Sequence, residues 1–102
     1  MTELGLTKEA ACAILSVLAG FSCVERAVIL GSRAKGTHKE YSDVDIALYG
    51  DLNSLTAEEI ACVLDELPLV YKFDVIVYND IKNEALREHI ERAGVGIYRK
   101  AI

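Results

Sequence analysis

A single α/β domain, with a mixed β-sheet and helices packed on it, is the fold class this sequence predicts. Three observations predict it. The chain has 102 residues, enough to enclose one hydrophobic core and few for a second lobe, so residues 1–102 are expected to form one domain. Apolar residues make up 52% of it and proline occurs once, as suits a compact globule and not a disordered tail. Stretches with helical spacing alternate along the chain with short runs rich in Val, Ile and aromatic residues, the order that builds helices onto a sheet.

Each element has its own local signal. Thr7 can cap a first helix, in which Ala11, Ile14, Leu15 and Leu18 recur at i, i+3, i+4 and i+7 and Gly20 suits the end. Arg26 to Leu30 is an apolar run stopped by Gly31 and reads as a buried strand. A short helical or looped stretch, Ser32 to Tyr41, comes next. From Val44 to Tyr49, Asp45, Ala47 and Tyr49 alternate with Val44, Ile46 and Leu48, which is the period of a strand. Asp51 to Ser54 are turn-like, and Thr56-Ala57-Glu58-Glu59 forms a capping box that opens a second helix. Ile60, Val63, Leu64 and Leu67 make its buried stripe, and Pro68 marks its end. Lys72 to Tyr78 is a third strand. Asn79-Asp80 turns the chain into a last helix near Asn83 to Ala93, with Leu86 and Ile90 inward. Gly94 ends that helix, and Val95 to Arg99 add a short final strand.

Charge and cysteine content narrow the function classes. The formal net charge of −5 provides no global positive field to recruit nucleic acid, although a local basic cluster can still hold phosphate. Cys12, Cys23 and Cys62 show no CxxC or CxxH spacing, which argues against a zinc knuckle or a disulfide framework. Cys12 and Cys62 fall in helical apolar stretches and are expected to act as small core residues. Reduced thiols and the absence of a leader pattern predict a cytoplasmic protein. The apolar stretch from Ala10 to Phe21 is too short to span a bilayer, so no membrane role is expected.

The chemistry-bearing residues fall at strand ends. Gly31-Ser32 follows the first strand, Asp43 and Asp45 begin the second, and Asp74 lies near the start of the third. Residues i and i+2 of a strand point to one side, so Asp43 and Asp45 can share a cation. For Gly31 to meet them, the first strand must run antiparallel to the second. For Asp74 to join them, the third must run parallel to the second, with the helix after Thr56 as its crossover.

Three close carboxylates repel one another, and a hard divalent cation relieves that repulsion. Mg²⁺ suits the set, since it takes one or two carboxylates together with phosphate oxygens and water; two such ions can brace an in-line displacement at phosphorus. Gly31 allows backbone to approach a phosphate, and Ser32 adds a hydroxyl and an N–H. Arg33, Lys35 and Lys39 can offset triphosphate charge. These parts suit transfer from a nucleoside triphosphate.

Taken together, Gly31-Ser32-Arg33-Ala34-Lys35-Gly36 and Ser42-Asp43-Val44-Asp45-Ile46 resemble the signature of minimal nucleotidyltransferases in the DNA polymerase beta superfamily. Phe73-Asp74-Val75-Ile76-Val77 resembles that family's third-carboxylate strand, and the likeness spans Val28 to Tyr78. The resemblance implies the nucleotidyltransferase fold, with Asp43, Asp45 and Asp74 as catalytic residues and metal ligands. Asp74 would also help to deprotonate the attacking hydroxyl. Gly31 and Ser32 would hold the triphosphate of ATP or another nucleoside triphosphate, with Arg33 and Lys35 beside them. Where Lys35 stands many relatives have arginine; lysine keeps the charge but not the guanidinium fork. Family members of this size often pair with a small helical HEPN protein as its antitoxin and add AMP to a tyrosine of that toxin.

Simpler readings compete for several residues. Gly31 and Gly36 also make a partial P-loop, but Thr37-His38 follow where Lys-Ser or Lys-Thr belongs, so an NTPase loop is rejected. Asp43 taken alone reads well as a solvated strand-start residue. Asp45 within an apolar strand, and Asp74 between Phe73 and Val75, are harder to place without a role. Arg33 is divided between a phosphate contact and a structural ion pair. His38 reads as an exposed loop residue and His89 as a surface or boundary residue. The five tyrosines are spread along the chain without forming an arguable base-stacking platform.

The leading expectation is a Mg²⁺-dependent enzyme moving AMP to a hydroxyl of a HEPN-type partner. One rival is a non-catalytic antitoxin or regulatory subunit that acts by binding alone. Another is a transferase for a small molecule such as an aminoglycoside. Homo- and hetero-oligomers both remain open.

Overall fold

The computed structural model describes residues 6–30, 43–69 and 71–100. The first helix, α1, spans Lys8–Ala19 and is capped by Thr7, whose Oγ1 accepts the Ala10 N–H at 3.1 Å. Ala10, Ala11, Ile14 and Leu18 are its buried positions, and Leu15 is half-buried at the flank. Gly20 stands at the C-cap with its N–H on the carbonyls of the last turn. Strand β1, Val24–Leu30, starts earlier than the apolar run suggests, because Val24 is itself buried and pairs with Gly50.

Strand β2 covers Val44–Gly50 and pairs antiparallel with β1, from Leu30 opposite Asp45 down to Val24 opposite Gly50. A bulge between Val24 and Arg26 interrupts that register. Simple alternation would send Val24 and Ala27 to opposite sides of the sheet. The extra residue turns both into the same core cluster. Gly50 closes the bulge with φ of 145°, and a β-carbon there would overlap the carbonyl oxygen of Cys23.

Helix α2 spans Ser54–Asp65, earlier than the expected capping box. Its N-cap is Asn53, not Thr56: Asn53 Oδ1 accepts the Thr56 N–H at 3.0 Å, and the Thr56 hydroxyl donates to the same oxygen at 3.2 Å. Thr56 therefore sits inside the first turn, where it is held by the cap that it was expected to provide. Asn53→Ala should cost about 1 kcal/mol in a denaturant melt, whereas Glu59→Ala should be near neutral. A larger loss from Glu59→Ala would restore the box. Ala57, Ile60 and Leu64 are buried, while Val63 and Leu67 are only half-buried.

Strand β3, Phe73–Val77, runs parallel to β2, and a short 3₁₀ turn, Tyr78–Asp80, takes over where the strand was expected to continue. Asn79 Nδ2 donates to the Gly50 carbonyl at 3.0 Å, tying that turn to the end of β2. Helix α3, Glu84–Ala93, is capped by Asn83 and ends at Gly94. Ile90 is inward as expected, but Leu86 is 42% exposed. The helix is rotated so that Arg87 lies over the Tyr78 ring, and this rotation carries Leu86 to the rim. Strand β4, Val95–Arg99, pairs antiparallel with β1, and the sheet order is β3-β2-β1-β4.

The two sides of the sheet are filled unequally. One carries Val44, Ile46, Leu48 and Ile29, packed against Ile14 and Leu18 of α1 and Ile60 and Leu64 of α2. Each such aliphatic side chain contributes roughly 1.5–3 kcal/mol by leaving water. The other side carries Ala47 and Tyr78 under Ile90 of α3. Cys12 and Cys62 are exposed and so are not core residues. At 100° per residue, Cys12 falls about a third of a turn from the stripe of α1, and Cys62 lies opposite that of α2. Among the described residues no helix is long and apolar enough to cross a membrane.

Candidate active site

The parallel pairing of β2 with β3 places Asp45 directly beside Asp74. Register partners in a parallel pair share a side of the sheet, with backbones about 4.8 Å apart. Asp43 lies one residue before β2, two from Asp45. Leu30, the last residue of β1, is the partner of Asp45, so β1 ends level with the carboxylates. Both strand directions expected from the site's needs are found. Main-chain bonding secures the start of the pair, where the Val44 N–H donates to the Lys72 carbonyl at 2.8 Å.

These aspartates share the side of the sheet that holds Ala47 and Tyr49. Ile90 of α3 packs on Ala47 and Tyr78, further along the strands, and Asp45 is half-buried while Asp43 and Asp74 are exposed. Burial raises the Asp45 carboxyl above its ordinary value, and the charges of Asp74 and Asp43 raise it further. The three carboxylates are thus electrostatic neighbours.

Among the described residues no group of three or more His, Cys, Asp and Glu is arranged to hold a metal ion. The chemistry of the donors nonetheless fits a hard divalent cation. They are carboxylate oxygens at one end of one sheet face, and the burial and neighbouring charges that disfavour ionised Asp45 are conditions a cation would relieve. Gly31, Ser32, Arg33 and Lys35, with Lys39 and His38, lie outside the described residues. His89 is half-buried on α3, a boundary residue as expected.

A second cluster was not foreseen. At the far end of the same face, the rings of Tyr49 and Tyr78 stack with centroids 4.2 Å apart and planes 21° from parallel. The Arg26 guanidinium lies 4.8 Å from the Tyr49 centroid, and that of Arg87 lies 4.9 Å from that of Tyr78. Burial raises the Tyr49 hydroxyl above its usual value, opposed by Arg26. The signal was available: the β2–β3 register that joins Asp45 to Asp74, extended by four residues, joins Tyr49 to Tyr78.

Comparison with known proteins covers most of the chain. A family model described as "Polymerase beta, Nucleotidyltransferase" matches residues 13–102. No curated protein sequence matches. Among solved structures, the chain is similar to one from a toxin–antitoxin crystallised with AMP-PNP, with a TM-score of 0.71 and 20% identity over 93% of this chain and 75% of that one. It is similar also to one from the complex of a tri-AMPylated Shewanella oneidensis HEPN toxin with MNT antitoxin, at TM-score 0.70 and 16% identity over 93% and 74%. A candidate nucleotidyltransferase from Sulfolobus solfataricus aligns at TM-score 0.61 and 18% identity over 97% and 85%. At these identities the structural likeness is one of fold.

Proposed function

The chain belongs to the polymerase beta nucleotidyltransferase family, and on that premise we propose that it transfers AMP from ATP to a hydroxyl of a HEPN-type partner protein, acting as its antitoxin. The observation that carries this reading is the pairing of Asp45 with Asp74, with Asp43 two residues before Asp45. A structural role for such a group is poorly motivated, because like charges brought together oppose folding. The partner and the nucleotide are supported by the names of the structural neighbours, which include a HEPN toxin carrying AMP and a complex with an ATP analogue.

Asp43, Asp45 and Asp74 would hold the divalent cations, Mg²⁺ by their donor chemistry. Bound there, the metal supplies Lewis-acid stabilisation of the phosphoryl oxygens and of the leaving group. Gly31 and Ser32 follow Leu30, the register partner of Asp45, and are proposed to receive the triphosphate through backbone N–H groups and the Ser32 hydroxyl. Arg33 and Lys35 are proposed to balance its charge. Asp74 is proposed to take the proton of the acceptor hydroxyl. The acceptor oxygen then bonds to the α-phosphorus, the bond from that phosphorus to the bridging oxygen breaks, and pyrophosphate departs.

The test is incubation with the partner, Mg²⁺ and ATP labelled at either the α- or the γ-phosphate. Label should pass to the partner from the α-position alone and should disappear with Asp43→Ala. Neutralisation of the partner without label, surviving in Asp43→Ala, would instead establish an antitoxin acting by binding. Label on a small acceptor would assign a small-molecule transferase.

A further inference from the structure

At the end of the sheet remote from the aspartates, Arg26 of β1 pairs in register with Arg99 of β4. The two arginines, with Gly96, Ile97 and Tyr98, line an open pocket of about 460 Å³. Neither arginine forms an ion pair among the described residues, where Arg92–Glu88 is the pair found. Lys100 follows directly, its Nζ donating to the Ser22 carbonyl at 2.8 Å, and adds a third positive charge. Three positive charges without a carboxylate partner among the described residues, on a chain of net charge −5, are a local feature that the proposed phosphate chemistry does not use.

We propose that this pocket docks an extended acidic segment of the partner protein, laid along β4 with its carboxylates on Arg26 and Arg99; it rests on the reading that the acceptor is a protein. Three features select this occupant. β4 is an outer strand of the described sheet, so one row of its main-chain groups is available for an added strand. Gly96 keeps the approach clear, since a β-carbon there would meet nothing within 4 Å. Guanidinium forks donate to carboxylates in bidentate fashion, and Ile97 and Tyr98 offer apolar surface to the segment's other residues. Nucleic acid offers anions too, but it has no peptide main chain to pair with β4.

The probe is a fluorescein-labelled peptide of alternating Glu and Val, titrated with the full chain and read by anisotropy. Binding should weaken by about tenfold or more in Arg99→Glu and in Gly96→Glu, and equally when Gln replaces Glu in the peptide. Gly96→Glu has open space around it, so its melting temperature should match the wild type and exclude misfolding as the cause. Asp45→Asn should bind the peptide as the wild type does, so that failure of docking and failure of nucleotidyl transfer are read separately. Equal affinity across the variants overturns the proposal. So does displacement of the peptide by a single-stranded oligonucleotide at lower concentration than by unlabelled peptide, which would assign the pocket to nucleic acid. A dimer in sedimentation that Gly96→Glu dissociates also overturns it, in favour of a second copy of this chain.

Discussion

Replacing Asp45 by Asn is expected to abolish nucleotidyl transfer and, at neutral pH, to make the metal-free protein more stable. The first effect follows from its place beside Asp43 and Asp74, with which it would hold the proposed cations. If Asp45 holds the metal as proposed, its loss should lower the rate roughly 10³-fold or more, a few kcal/mol of transition-state stabilisation. The second effect follows from its titration. Burial, then Asp74, then Asp43 push the Asp45 carboxyl up from its ordinary value. A carboxyl that holds its proton more tightly when folded favours folding fully below its unfolded pKa, and that contribution is lost as the pH rises through the folded value. At neutral pH the ionised group therefore opposes folding, by an amount reduced by its partial exposure to solvent. Asn removes this term. The melting temperature of Asp45→Asn should exceed that of the wild type by a few degrees at neutral pH, with the gap closing in acid. Mg²⁺ should narrow the gap by raising the wild type alone. Transfer at near wild-type rate, or a lower melting temperature at neutral pH, would refute the assignment.

Gly50→Ala should be the most destabilising single-methyl change in the sheet. The residue holds φ of 145°, which L-amino acids rarely adopt, and its added carbon would overlap Cys23 O and crowd Glu25 N at 3.0 Å. Both obstacles are backbone, so neither can move aside as a flexible side chain would. A loss of about 2–4 kcal/mol follows, or on the order of 10–20 °C in melting temperature for a domain of this size. Gly96→Ala is the matched control, with open space at the β-carbon, and should shift the melt little. The consequence of Gly50→Ala reaches further than stability. If β1 relieves the overlap by slipping one residue, every side chain of that strand changes sides of the sheet. Leu30 would no longer face Asp45, and transfer would fall in protein that still melts cooperatively. Equal melting temperatures for Gly50→Ala and Gly96→Ala would show that the bulge is not the constraint described.

Much of this was readable in the residues because hydrophobic periodicity and strand register are local or pairwise properties. The strand directions followed from asking how Gly31, Asp43 and Asp74 could meet, and β1, β2 and β3 run as that demands. The cap of α2 was misread because Thr56-Ala57-Glu58-Glu59 satisfies the box pattern, while Asn53 satisfies the geometry. Sequence shows both, and only the path of the preceding chain decides between them. Leu86 was misplaced for a different reason. A stripe defined by Leu86 and Ile90 alone fixes the helix rotation poorly, and the Arg87–Tyr78 contact settles it. The tyrosine stack was missed because its members were weighed as potential base platforms one at a time, not through the register that the aspartates already implied.

The arrangement of the four stacked side chains, Arg26, Tyr49, Tyr78 and Arg87, has a consequence for how molecules find this protein. Asp45 and Tyr49 are four residues apart on one strand, about 13 Å. One end of that sheet face therefore carries anionic carboxylates and the other cationic guanidiniums, giving the face a lasting electrical polarity. An acidic body arriving by diffusion would be turned toward the arginine end, and the proposed triphosphate, its charge partly masked by metal, would enter at the other. On the proposed function, one face of the sheet would thereby separate its two ligands by charge as they approach.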